Sequence, residues 1–245
     1  MNEQAKERLE AMPTNPSDHY RIKPRFDSPR KYYFKQLLNL ISTAKKDYIL
    51  PLALNNKIIK IGDYGCGTKP YQSVLSHPNI DYLGIDLAWN PHADIYLNPD
   101  FSVAYHDSGL DILLSTQVLE HVEDPDFYLT EGYRLLKKDG LLLLTTHGYW
   151  MYHPDPTDYW RWTSAGLKKV VERNGFEIIA FSGIIGRASM GLQLFQDGLL
   201  FKIPRWSWAL ITIPLQFFIW LFDQINAQKT IDQDACTYLV VARKK

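Results

Sequence analysis

The sequence predicts an α/β fold in which helices cover both faces of a mainly parallel sheet. Three observations carry this prediction. Short apolar runs of strand length alternate with helical patterns from Ile58 onward. The helices between them bring their own start and stop residues. The composition, 46% hydrophobic and 22% charged over 245 residues, is that of a chain able to bury a core rather than a disordered one. The length suits one large domain, or a domain carrying a substantial insertion.

Residues 1–30 hold Pro13, Pro16, Pro24 and Pro29 among charged residues and read as an arm wrapped on the domain. In Lys31–Tyr48, Tyr33, Leu37, Leu40, Ile41 and Ala44 recur at helical spacing, and Pro51 is expected to end that helix. Strands are expected over Ile58–Tyr64, Ile80–Ile85, Asp94–Leu97 and Leu110–Ser115, with a short helix over Tyr71–Ser76. The next helix is punctuated by Asp124 as N-cap, Pro125 at the first helical position, Lys137 and Lys138 in the last turn and Gly140 beyond. Leu141–Thr146 is a strand. Thr163 caps a helix with Leu167, Val170 and Val171 as its buried stripe, and Gly175 ends it. Phe176–Phe181 and Thr237–Ala242 are the last strands. Ligands in such folds sit at the carboxyl ends of the strands, which places the chemistry just after Tyr64, Ile85, Leu97, Ser115 and Thr146.

Charge and cysteine content narrow the function classes. The 27 basic and 27 acidic side chains cancel, so no nucleic-acid partner is expected. Cys66 and Cys236 cannot build a disulfide framework, and Met1–Glu10 has no apolar core of a secretory signal. A reducing, cytoplasmic setting is the expectation.

The run after the first strand is Asp63-Tyr64-Gly65-Cys66-Gly67-Thr68-Lys69-Pro70-Tyr71. Glycines at 65 and 67 let the backbone turn sharply against a ligand. Asp86, 21 positions after Gly65 at the next strand end, can accept hydrogen bonds from both hydroxyls of a ribose. A dinucleotide fingerprint would continue with a third glycine opening a helix toward a pyrophosphate; here Lys69-Pro70 follows, which disfavours a nicotinamide oxidoreductase. Asp63 would repel pyrophosphate but attract an ammonium, unless it serves only to hold loop amides. A ligand with adenosine at one end and a cationic amino acid at the other meets these demands, and S-adenosylmethionine is that ligand. Cys66 reads as a small loop residue rather than a nucleophile.

These residues, with Leu114-Ser115-Thr116-Gln117-Val118-Leu119-Glu120-His121-Val122 and the later stretch Glu131–Leu142, resemble class I S-adenosylmethionine-dependent methyltransferases, in particular the type 11 family. The resemblance runs from about Ile58 to Phe181. It implies a seven-stranded Rossmann-like sheet whose last strand is antiparallel, a methyltransferase domain over 51–245 and an N-terminal arm and helix over 1–50. Carried over by position, Asp63, Gly65, Cys66 and Gly67 would surround the methionine part and Asp86 the ribose. Leu87 and Asn98 would face the adenine, and Thr116 and Gln117 would line the cofactor's other side. Lys69 departs from the family's third glycine.

On the acceptor side, the aromatic run Thr146–Trp162 follows the fifth strand. Tyr149, Trp150 and Tyr159 offer flat walls, and Asp158 and Arg161 offer polar edges, either for a substrate or paired with one another to anchor the loop. The run resembles that of type 11-like enzymes from bacterial surface-polysaccharide clusters, which implies a glycan hydroxyl as acceptor. A quinone or other lipophilic aromatic is the alternative acceptor, and a non-catalytic cofactor-binding regulatory module the alternative from another class. His121, His147 and His153 fall on the predicted active face and are candidate general bases; Glu120 and His121 have the rival role of starting a helix. No carboxylate cluster of metal-ligand type appears, so no metal is expected.

About 50 residues separate Phe181 from Thr237, where a minimal fold of this type needs only a hairpin. This helical insertion, 185–230, contains helix candidates Ala188–Lys202 and Trp206–Phe222. The second is nearly all apolar, with Thr212, Gln216 and Asp223 in one narrow stripe. Both flanking strands belong to one sheet, and Ala188–Lys202 is too polar to return across a bilayer, which argues against a membrane span. A lid on the domain, a homodimer contact through 188–222, or a helix lying in a membrane interface near a lipid-linked acceptor remain.

Overall fold

The computed structural model describes residues 19–54, 57–155 and 157–245. Seven strands form one sheet: β1 (Ile59–Tyr64), β2 (Ile80–Asp86), β3 (Ile95–Tyr96), β4 (Leu110–Thr116), β5 (Leu136–His147), β6 (Phe176–Gly186) and β7 (Ala235–Lys244). Their order is β3-β2-β1-β4-β5-β7-β6. The first five pair in parallel, while β7 runs antiparallel to both β5 and β6. The expected seven-stranded, Rossmann-like sheet with an antiparallel last strand is therefore the observed one. The order reverses at β1, which opens a crevice beyond the carboxyl ends of β1 and β4.

Period-two alternation distributes the strand side chains to two cores. On one face Ile112 and Leu114 of β4 pack with Ile61, Leu143 and Val241 beneath α1 (Lys31–Ala44). On the other, Leu113 packs with Leu142 and Val240 beneath α2 (Pro125–Leu135) and α3 (Ser164–Arg173). Helix starts follow their caps: Asp124 Oδ1 accepts from the amides of Asp126 (3.0 Å) and Phe127 (3.1 Å), and Thr163 Oγ1 from Gly166 (3.0 Å). Grouped with the arm on sequence grounds, α1 belongs to the core through Tyr33, Phe34, Leu37 and Ile41. Arm residues Pro13 and Pro16 lie outside the described residues.

The strands run longer than expected, β6 to Gly186 and β7 from Ala235, and two helix ends differ in kind. Lys137 and Lys138 are not helical, and Gly140 stands within a strand: α2 ends at Leu135 and β5 begins at Leu136. The register jumps from Leu110↔Leu136 to Ile112↔Leu141, so Lys137–Gly140 bulge out, with Lys137 Nζ held 2.7 Å from Asp111 Oδ1. Gly140 is required there because a Cβ would lie 2.9 Å from the Lys137 carbonyl. Pro51, for its part, does not end the first helix. A π turn, Lys45–Ile49, precedes it, and Leu50 N–H reaches back to the Lys45 carbonyl before the helical turn Leu50–Ala53. Widening the turn accommodates a proline that would otherwise crowd a carbonyl one turn back.

The insertion forms α4 (Arg187–Leu200), α5 (Trp208–Gln224) and α6 (Gln228–Gln233). It leaves β6 at Gly186 and re-enters β7 at Ala235, residues that are register partners. The stripe Thr212, Gln216 and Asp223, with Ile219, is the buried face of α5. Gln216 Oε1 accepts from Tyr32 N–H (2.9 Å), one of the unpaired donors of the first turn of α1. Its amide nitrogen donates to the Pro29 carbonyl (2.8 Å), which also accepts from Gln193 (3.0 Å) and Gln196 (2.7 Å). Asp223 accepts from Tyr32 Oη (2.8 Å) and from Gly186 N–H (2.9 Å) at the start of α4. Replacing Gln216 by Leu strands several buried polar groups, so thermal or urea unfolding should show a loss of about 2–3 kcal/mol. A variant as stable as the parent would show that this junction does not hold the insertion to α1.

Candidate active site

The turn after β1 carries the first part of the site. Gly65 (φ 79°) and Gly67 (φ 51°) both use the left-handed region. A Cβ on Gly65 would lie 2.5 Å from Val118, whereas one on Gly67 would meet nothing within 4 Å and faces open space. Asp86, at the end of β2, closes the turn: its Oδ2 accepts from Gly67 N–H (2.8 Å) and Asn90 Nδ2 (2.7 Å), its Oδ1 from Leu87 N–H (2.7 Å). Asn90 is buried and also donates to the Gly67 carbonyl (2.8 Å). The sequence reading missed this residue, since a lone asparagine four positions past a strand end carries no signal of its own. Burial pushes the Cys66 thiol upward, which suits the small loop residue and not a thiolate.

Lys69 stands in the left-handed region itself (φ 56°), so the backbone keeps the geometry of a glycine there. Its Nζ reaches Asp94 Oδ2 (2.5 Å), which also accepts from Gly84 N–H (2.6 Å). The lysine thus ties the turn to the chain entering β3. Burial pushes the Asp94 carboxyl up, but those two bonds outweigh it and hold it below the usual range.

Asp63 is buried, with Oδ2 accepting from Tyr82 Oη (2.5 Å) and Oδ1 without a partner. An orphaned buried carboxylate oxygen beside an open glycine turn suits a cationic ligand group, and the donor set fits S-adenosylmethionine in that respect. Leu87 is half-buried beside Asp86. Asn98 is exposed, and its amide nitrogen donates to Ser102 Oγ (3.0 Å) across a turn. Thr116 is buried at the end of β4. Gln117 follows in the left-handed region (φ 59°), its side chain bridging Tyr33 Oη (3.0 Å) and Thr145 Oγ1 (3.2 Å). Tyr33 brings α1 into the site, a role hidden in sequence because its spacing reads only as core stripe.

The three candidate histidines converge. Ring centroids of His121 and His153 lie 4.8 Å apart, and those of His147 and His153 5.1 Å. His147 is buried at the base. Its ring stacks on Trp150 (4.7 Å), Nδ1 lies 3.2 Å from Thr237 Oγ1, and Nε2 lies 3.4 Å from Glu120 Oε1. Burial drives the Glu120 carboxyl up and the His147 imidazole well down, and both shifts disfavour an ion pair at this contact. His121 Nδ1 lies 2.6 Å from the Thr157 carbonyl. A carbonyl only accepts, so Nδ1 carries a proton and Nε2 is the nitrogen left to accept one. Burial lowers His153 despite the nearby Asp158 carboxylate.

Asp158 and Arg161 form a bidentate pair (2.6 and 2.5 Å). The remaining guanidinium donors go to the carbonyls of Trp150 (3.0 Å), Trp160 (2.7 Å) and Met151. Both residues therefore brace the loop through one another and its carbonyls. Tyr149, Tyr159 and Trp160 are exposed, Tyr149 donating to Asp234 Oδ1 (3.0 Å). No metal ligands were expected, yet Glu120, His121 and His153 each present a donor atom within 4.8 Å of the others and could hold a cation. Their separation in the chain, 120–121 against 153, hid the cluster.

Residues 30–180 match the family model of a methyltransferase domain. The chain is 30% identical over 102 residues to the ubiquinone biosynthesis O-methyltransferase of Pelagibacter ubique, covering 37% of this chain and 42% of that one. Against the protein of the same name from Bartonella bacilliformis it is 27% identical over 145 residues, covering 54% and 57%. The chain thus spans about half the length of the curated relatives it matches. Among solved structures, the [4+2]-cyclase SpnF superposes with a TM-score of 0.56 at 19% identity, covering 87% of this chain and 82% of its own. A protein described as a sarcosine dimethylglycine methyltransferase from Galdieria sulphuraria gives 0.51 at 12%, covering 83% and 86%. These likenesses establish the fold. Fold and family model agree on the class: a methyltransferase domain built on a Rossmann-like sheet. The chain belongs to the methyltransferase-domain family.

Burial pushes the Asp63 carboxyl from 3.8 to about 7. A folded-state value above the unfolded one means stability fully present below about pH 4 and lost as pH rises to about 7. Asp63→Asn removes that titration, so its stability relative to the parent should rise between those limits in calorimetric scans. Parallel pH profiles would contradict the raised carboxyl.

Proposed function

We propose that this protein transfers a methyl group to a hydroxyl oxygen, with His121 Nε2 accepting the hydroxyl proton. One observation carries the reading: the Thr157 carbonyl fixes the proton on His121 Nδ1, leaving a basic nitrogen at the carboxyl edge of β4. In this reading Asp63, Gly65, Cys66 and Gly67 hold the methionine part, Asp86 and Leu87 the nucleoside, and Thr116 and Gln117 the facing side. Asn98, exposed beyond β3, faces the adenine. Bound there, S-adenosylmethionine supplies an electrophilic methyl on a sulfonium, which leaves the chain to position the acceptor, exclude water and take up its proton.

His147 acts from below as a positioning residue. Kept neutral by burial, it stacks on Trp150 and stands against Glu120, and so fixes the floor on which His153 and the acceptor rest. S-adenosylmethionine held there would supply the methyl group and leave as the neutral thioether, while His121 Nε2 would take up the acceptor's hydroxyl proton.

A lipophilic aromatic hydroxyl is the favoured acceptor, supported by the relatives named for ubiquinone biosynthesis O-methylation. A glycan hydroxyl is the second reading, supported by the exposed rings of Tyr149, Tyr152, Tyr159 and Trp160 around the loop. Incubation with labelled donor and either a lipid extract rich in phenols or a polyprenyl-glycan extract separates them by which fraction gains label. On the labelled acceptor, His121→Ala should lower turnover roughly 10²–10⁴-fold with donor affinity unchanged. If His121→Ala and His153→Ala both turn over at the parental rate, proton transfer to this cluster is not part of the reaction.

A further inference from the structure

Helix α5 is built inside out. Its buried residues are Thr212, Gln216, Ile219 and Asp223, three of them polar, while Leu210, Ile213, Phe217, Phe218, Trp220 and Phe222 are exposed. At ~100° per residue the buried four fall within roughly 60° of the helix circumference, and the exposed apolar residues sweep roughly 200°. Phe201 (85% exposed), Trp206 (82%) and Ile225 (72%) extend the surface beyond both helix ends. The lid reading is overturned, because a lid would turn this face inward. Arg205–Gln224 has a mean hydropathy of 1.2, enough by length and composition for a membrane span. Topology forbids one: the insertion leaves and re-enters the sheet at the paired residues Gly186 and Ala235. Its companion α4 buries Gln193, Gln196 and Asp197.

We propose that α5 docks in the interface of an anionic phospholipid bilayer, lying in the membrane plane. Two observations select lipid over a second copy of the chain. The exposed apolar arc is wider than the stripe of about 100° that a helix lays on another protein surface, and a fluid apolar phase can envelop it. The segment leading into α5 is also basic in a chain of zero net charge: Lys202 and Arg205 are exposed, and the Arg25 beside Arg205 is balanced by Asp27. The nearby acids are withdrawn, with Asp197 and Asp223 buried and Asp27 paired to Arg25 (2.9 Å). Arg25, Arg205, Trp206 and Trp208 line one concavity, a pairing of guanidinium and indole groups suited to phosphate headgroups above acyl chains.

This docking sets the active site at the bilayer surface. The Pro29 carbonyl, held by Gln193, Gln196 and Gln216, is followed by Arg30, whose guanidinium lies over the Trp150 ring (5.1 Å). Trp150 stacks on His147. An acceptor resident in the membrane would reach the histidines without leaving it, although the docking itself stands whatever the acceptor.

Flotation of the full chain with phosphatidylcholine vesicles, with and without phosphatidylglycerol, tests the proposal. The protein should rise with the anionic vesicles, less with neutral ones, and less again when salt is raised from about 0.1 to about 1 M. Leu210→Ser/Phe217→Ser/Trp220→Ser should cut the floated fraction at least tenfold, with the parental melting curve. If that variant misfolds, Phe201→Ser/Trp206→Ser, outside the helix, should still reduce flotation severalfold. Absence of flotation on either vesicle overturns the proposal, as does parental flotation by the variants. A dimer of twice 28.4 kDa by light scattering that ignores vesicles would assign the face to a second copy instead. None of these readouts involves methyl transfer, so their failure leaves the acceptor question separate.

Discussion

Strand β7 runs antiparallel between β5 and β6, and this constraint decides where everything functional lies. Because β6 is then parallel to β5, it delivers the chain at Gly186 to the same sheet edge at which β1, β4 and β5 end. The insertion must start and finish on that edge. The glycine turn, the histidine cluster and the insertion therefore lie at one end of the sheet without any being adjacent in sequence. Tyr33 makes the adjacency concrete: its hydroxyl bridges Gln117 after β4 (3.0 Å) and Thr237 in β7 (3.3 Å), while its ring packs on Trp150 (4.6 Å).

The electrostatics of this edge follow from burial rather than from ion pairing. Asp63 and Glu120 are carboxyl groups raised by desolvation, and each keeps one oxygen without a hydrogen-bond partner. Such groups cost stability unless a ligand or a neighbouring proton relieves them. They sit at the ends of β1 and β4, on either side of the crevice where the strand order reverses. A cationic ligand bound beside the glycine turn would relieve the first of them.

Much of the fold was legible because it is written locally. Asp124, Pro125 and Thr163 announce their helices through caps, and β1, β2 and β4 through apolar runs of strand length. Gly65, Gly67 and Asp86 were legible as a tight turn and a strand-end carboxylate at a fixed spacing, and the structure joins them through the Gly67 amide. Lys69 was readable only as a departure; its backbone keeps the glycine conformation while its side chain finds Asp94, which no local pattern encodes. Asn90, the site role of Tyr33 and the grouping of Glu120, His121 and His153 as possible cation ligands were missed for one reason: each depends on a partner brought in by the sheet. The polar stripe of α5 was visible in sequence, but not that it faces inward. Amphipathicity gives a helix two faces, and the carbonyl of Pro29 with the first turn of α1 decides which is buried.

The central claim is that one crevice, from Gly65–Gly67 to His121, holds the methyl donor and the acceptor's proton relay together. A crystal structure with S-adenosylhomocysteine tests it most directly. The account predicts its ammonium at Asp63, its ribose at Asp86, and its sulfur on the side facing His121 and His153. Density for the ligand elsewhere, or with its sulfur turned away from the histidines, would contradict it.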